Sequence, residues 1–193
     1  MGYEDGHARK TGHLGEAEAK QFFQTNGFSA VKPAGQDIGI DLIISSNINP
    51  NMTAKAQVKG RRQVKNPRWF QLSITPYQIN EAWSRGVQLD ELWKKKIRMA
   101  DFWIMVSIPL DEIWVIPSEK VIEIAVLNSE KYGSRLDNQF KEPHHTKHGK
   151  IAKKQKELNL DLLIDGVPIW QGINCFRNNI DPVVEYFNLD RKF

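Results

Sequence analysis

Residues 38–45 read IGIDLIIS and residues 53–59 read TAKAQVK. The first run is rich in β-branched residues and is followed by the turn-forming SNINPNM (46–52), so it predicts a strand buried on both faces. The second predicts a partner strand. Fifteen residues lie between Asp41 and Gln57, enough for a hairpin that brings the two runs together. Side chains alternate along a strand, so Gln57 and Lys59 point to the same face. Lys59 follows the small or apolar Ala54, Ala56 and Val58, which is not the setting of a casual surface lysine.

Working outward, residues 13–26 predict a helix closed by Gly27. Residues 28–31 predict a short strand and Lys32-Pro33-Ala34-Gly35 a turn. Downstream, residues 69–74 (WFQLSI) predict a further strand. Thr75 as N-cap and Pro76 at the first helical position then open a helix running to Arg98, broken near Gly86. Residues 102–108 predict a buried strand, 113–116 its partner, and 117–127 a short helix. Residues 128–159 show little periodicity. Residues 160–164 and 167–170 form a predicted hairpin across Asp165-Gly166, and a last short helix is expected over 182–187. This order predicts an α/β fold, a central mixed β-sheet flanked by helices, with residues 1–127 as the core and 128–193 as a C-terminal extension of the same domain.

A chain of 193 residues supports one sizeable core. At 40% hydrophobic and 26% charged, its composition is that of a soluble globular protein. No apolar run is long enough to cross a bilayer, and the opening MGYEDGHARKTGHLGEAEAK lacks the apolar stretch of a secretion signal. Cys175 is the sole cysteine, which excludes a disulfide framework and fits a cytoplasmic setting. The net charge of +4 is unevenly spread. Residues 59–68 (KGRRQVKNPR) hold five basic side chains and no acid, and residues 141–156 hold six lysines against Glu142. The rest of the chain is net acidic. Such concentration suits a polyanion, because phosphate contacts release condensed counterions.

The residues on the two opening strands suit phosphodiester hydrolysis. The Asp41 carboxylate and the Gln57 amide oxygen are hard ligands of the kind Mg²⁺ takes while keeping waters. A lysine beside them can orient the attacking water and stabilise charge growing on phosphate. On the first predicted helix Glu16 shares a face with Ala19 and Phe23, where a carboxylate needs a partner such as a metal or a lysine.

Three motifs carry a resemblance. Leu14-Gly15-Glu16-x-x-Ala19, Gly35-x-Asp37-x-x-x-Asp41-Leu42-Ile43-Ile44 and Ala56-Gln57-Val58-Lys59-Gly60 resemble the PD-(D/E)xK nuclease superfamily. The glutamine is similar to the Q-x-K branch, which includes Mrr-like and type II restriction endonucleases. The likeness spans about residues 12–117, with residues 100–106 and 114–117 resembling later strands. It implies a restriction-endonuclease-like core and a Mg²⁺ site, with Asp41 as bridging ligand, Gln57 and the Val58 carbonyl beside it, Lys59 acting on water, and Glu16 as an auxiliary acid. Ile40, not proline, precedes Asp41, and Asp37 competes for its role. Asp41 is preferred because Leu42-Ile43-Ile44 follow it directly, whereas Asp37 also reads as a turn residue.

Double-stranded DNA is the partner these features imply. Arg61, Arg62 and Lys65 are candidate phosphate contacts, since they leave the sheet directly after Lys59. His144, His145 and His148 have spacing that would allow a zinc site; a DNA-contacting loop with Lys147 and Lys150 is the better of the two functional readings, and the segment also reads as a plain solvated loop. Arg177, Asn178 and Asn179 carry side chains matched to guanine and adenine edges, and they also read as a polar turn. The tryptophans read as core. The expected function is a type II restriction endonuclease acting as a homodimer on a palindrome. The alternatives are a structure-selective resolvase or repair nuclease, or a non-catalytic DNA binder.

Overall fold

A computed structural model of the chain describes residues 3–34, 39–74, 76–132, 154–161, 163–164, 167–168 and 176–187. Helix α1 (Tyr3–Thr25) begins ten residues before the expected start and ends where Gly27 takes a φ of 80°, which a glycine adopts without steric cost. Five strands follow in one sheet, ordered β1 (Phe28–Val31), β2 (Leu42–Ser46), β3 (Thr53–Arg61), β5 (Phe102–Ser107) and β6 (Glu112–Pro117). The β1–β2, β2–β3 and β5–β6 pairs are antiparallel. The β3–β5 pair is parallel, with Gln57 opposite Trp103. A parallel pair needs a crossover. Here β4 (Trp69–Ile74), α2 (Pro76–Ser84) and α3 (Leu89–Ile97) supply it, the helices parted at Gly86.

The fold is therefore α/β, with a central mixed sheet between helices. One element departs from expectation. Strand β4 does not join the main sheet. It pairs antiparallel with β7 (Lys154–Asn159), a strand the aperiodic and lysine-rich sequence did not announce. Helix α4 (Ser118–Tyr132) also outruns the expected 117–127. Asn128 explains part of this: buried, it donates from Nδ2 to the Ile124 carbonyl and accepts from the Asn159 amide at 3.2 Å, tying the helix to β7. A two-residue pair, β8 (Leu163–Ile164) with β9 (Val167–Pro168), and α5 (Asp181–Tyr186) complete the described chain. Thr75, Asp165, Gly166 and Cys175 lie outside the described residues. Among those described, no helix is long and apolar enough to cross a membrane.

The sheet buries both faces. On one, Leu42, Ile44, Ala56, Val58 and Ile104 pack against Ala19 and Phe23 of α1 and Val183 of α5. On the other, Trp103, Met105, Trp114 and Ile116 meet Ile79 of α2, Trp93 and Ile97 of α3, Val121 and Ala125 of α4, and Phe70 and Leu72 of β4. Trp93, Trp103 and Trp114 are core, as expected. On this second face, strand β3 contributes Gln57 and Lys59 where its neighbours contribute apolar side chains.

A partly buried ion-pair network joins the β4–β7 pair to the main sheet. Arg68 donates to both Glu112 carboxylate oxygens at 2.7 Å and to Asp161 at 3.0 Å. Arg177 approaches Glu112 at 3.3 Å. Four stretches far apart in sequence thus meet at the first residue of β6.

Candidate active site

Asp41 precedes β2, and its backbone amide donates to the Ala56 carbonyl at 2.9 Å, which locks it beside β3. Its Oδ2 accepts from the Gln57 Nε2 and, at 2.7 Å, from the Val58 amide. Gln57 is buried. Lys59 is partly buried, with its Nζ 5.8 Å from the centre of the Trp103 ring. The three residues named from sequence therefore converge. Burial pushes the Asp41 carboxyl up, while the Val58 amide and Lys59 pull it down. Burial pushes Lys59 down and the Asp41 charge opposes that shift.

The three line a cleft of about 620 Å³ between the sheet and its crossover. Gln71 and Ser73 of β4, Gln78 and Glu81 of α2, and Lys96 and Met99 form its other wall. A second hollow of about 320 Å³, lined by Gly60, Arg61, Gln63 and Trp69, shares Lys59 and Gln71 with it.

Glu16 lies beside this arrangement. Its carboxylate pairs with Lys32 Nζ at 2.5 Å and its charge reaches Asp41, but the described cleft lining does not include it. The expected need for a partner is met by a lysine from the turn after β1. Gly15, next to Glu16, explains how α1 sits so close: a Cβ there would meet the Gly60 Cα at 2.9 Å, and a Cβ on Gly60 would meet the Thr11 carbonyl at 2.6 Å. Both contacts are with backbone, which cannot swing aside. Gly60→Ala is expected to cost about 1–3 kcal/mol, the usual range for overpacking, and to lower the urea midpoint. A midpoint equal to that of the wild type would show that the helix shifts freely.

Other sequence candidates fall differently. Arg62 and Lys65 are exposed. Arg61 turns inward on its own loop, donating to the Asn66 carbonyl at 2.6 Å, to Gln63 Oε1 at 2.8 Å and to the Lys65 carbonyl at 3.3 Å. Its guanidinium thereby staples the loop that follows β3. Arg177, Asn178 and Asn179 are also tied into the fold. Arg177 is committed to Glu112 and stacks 6.0 Å from the Trp114 ring centre. Asn178, at a φ of 48°, exchanges hydrogen bonds with the Ile113 backbone, and Asn179 Oδ1 accepts the Asp181 amide. These groups build a joint to β6, which sequence alone presents as a polar turn. Asp37, His144, His145, Lys147, His148 and Lys150 lie outside the described residues.

The donor set fits a small hard cation. The Gln57 amide touches Asp41 through Nε2, and half a turn about its last torsion puts Oε1 there instead. Two oxygens then face one point, with room in the cleft for waters. Among the described residues no group of three or more His, Cys, Asp or Glu side chains gathers, and this donor set brings a single carboxylate, Asp41.

Sequence reasoning missed Lys96 and Lys32. Lys32 gave no signal. Lys96 did: it stands three residues after Trp93 and one before Ile97, inside the apolar stripe of α3.

No family model and no curated protein matches this sequence. The fold is similar to that of a solved bacterial homing endonuclease, I-Ssp6803I, with a TM-score of 0.52 and 15% sequence identity. The likeness covers 96% of this chain and 98% of that one.

Proposed function

We propose that this chain is a Mg²⁺-dependent endonuclease of double-stranded DNA, of the type II restriction kind. The observation that carries this reading is the convergence of Asp41, Gln57 and Lys59 on one cleft, where the strands beside β3 contribute apolar side chains. The likeness to a solved homing endonuclease supports it. Asp41, Gln57 and the Val58 carbonyl would hold the cation, which when bound polarises the phosphoryl oxygen and helps ionise water. Lys59 holds its ammonium against the Trp103 ring and facing the cleft, where it orients the attacking water and stabilises the charge developing on phosphate. The partial burial of Lys59 strengthens that interaction, because little water competes for it. Glu16, paired with Lys32, adds a negative field behind Asp41 and is an auxiliary acid at most. The two strands of a duplex run in opposite directions, so a chain with one site cuts both as a homodimer.

Arg62 and Lys65 are exposed on a loop stiffened by Arg61, next to Lys59, and serve as phosphate contacts. Neutralising either is expected to weaken binding to all duplexes about equally and to lower the salt slope by about one. An effect confined to one sequence would mean base readout instead. Digestion of a plasmid with Mg²⁺ tests the whole reading: discrete fragments with ends at one short sequence are expected, and none in chelator. Efficient cutting of a four-way junction with linear duplex left intact would favour a structure-selective nuclease. Cutting in chelator would overturn the cation site.

A further inference from the structure

The wall of the cleft opposite Asp41 holds a second lysine. Lys96, in the last turn of α3, is partly buried and reaches the Ser73 carbonyl of β4 at 2.5 Å. Lys94, two residues earlier, pairs with Asp90 and Glu91, whereas Lys96 donates to a neutral carbonyl. Burying a cation without a counter-charge is costly, and a protein keeps one where something else supplies the negative charge. Burial and the field of Lys59 both favour the neutral form of Lys96, so two lysine charges act on one small volume. Asp41 is a single carboxylate, and Glu81, the other acid lining the cleft, is paired with Arg85 at 2.9 Å.

We propose that Lys96 is a phosphate-binding residue, holding a phosphodiester of the substrate strand against the wall formed by β4 and α3 while Lys59 serves the scissile one. The inference rests on the nuclease reading and extends it to a residue outside the Asp41-Gln57-Lys59 set. Ser73 orients the ammonium, leaving two of its three N–H donors for phosphate oxygens. A phosphate held from this side and a cation site on the other fix the strand across the cleft, and such positioning is where much of the rate of phosphoryl transfer comes from.

Lys96→Gln keeps a donor for the Ser73 carbonyl and removes the charge, which separates binding from mere tethering. Duplex DNA binding is measured in chelator across a range of salt, so that no cleavage intervenes. The expected result is weaker binding and a salt slope lower by about one, with the thermal midpoint held or raised. Lys96→Arg is expected to restore the slope. A wild-type slope in Lys96→Gln would overturn the proposal and leave Lys96 a tether between α3 and β4. If Lys96→Gln unfolds, Lys96→Arg decides: a wild-type fold with wild-type slope supports the charge, and a lower slope overturns it. Wild-type protein that binds no duplex would overturn the nuclease reading itself, a result distinct from a wild-type slope in the variant.

Discussion

Lys59→Met is expected to reduce cleavage by about 10²–10⁴-fold, the range for losing a positioned proton-transfer or charge-stabilising group. Binding to duplex DNA in chelator should change far less, since the proposed phosphate contacts on the loop after β3 remain. Stability should move the other way. Burial holds Lys59 below the usual lysine range despite the attraction of Asp41, so the folded protein disfavours its charged form. That disfavour is a cost to folding at any pH below the folded value, and it fades as pH rises through that value. Methionine fills similar space without a charge, so the thermal midpoint at neutral pH should rise. A variant inactive because misfolded would show a lower midpoint. Near-normal cleavage by a well-folded Lys59→Met would remove the lysine from the mechanism. Loss of activity with gain of stability would mark a site whose chemistry is bought with folding energy.

Glu112→Ala is expected to cost about 3 kcal/mol of stability, and a chain of this size should then melt about 6–12 °C lower. The estimate sits at the low end for a broken buried pair, because Arg68 keeps Asp161 at 3.0 Å and is 19% exposed. Burial alone would raise the Glu112 carboxyl, but the bonds from Arg68 and the charge of Arg177 hold it below the usual glutamate range. A carboxylate depressed in the folded state stabilises the protein above its unfolded value and loses that contribution as pH falls through the folded one. The wild type should therefore lose stability in acid more steeply than Glu112→Gln. Thermal melts from neutral to acidic pH check both points. Equal midpoints at neutral pH would reduce the network to a surface ornament. Because the network docks β4 and the Arg177 joint onto β6, the variant should also lose cleavage beyond its loss of folded protein, since Gln71 and Ser73 on β4 line the cleft.

The sequence by itself determined the strands that carry the proposed site and the residues on them. The β-branched run after Asp41 and the small, apolar alternation of β3 place Asp41, Gln57 and Lys59 through local geometry, since side-chain direction alternates with each residue and a hairpin leaves little choice of register. The break at Gly86 and the stop at Gly27 were legible for the same reason: they depend on the φ of one residue. Only the tertiary structure decided the rest. Strand β4 reads like any other half-buried strand, yet it leaves the sheet because its partner, β7, lies about 80 residues away in a run of lysine, glutamine and glutamate with no apolar alternation to announce it. Arg61 and Arg62 are neighbours of one kind, and only the folding back of residues 63–66 turns one inward and leaves the other exposed. Glu16 meets Lys32, Lys96 meets Ser73 and Arg177 meets Glu112 across separations that no periodicity encodes. Such pairings are fixed when distant segments pack and their buried charges must each find a partner, a condition that belongs to the folded chain as a whole.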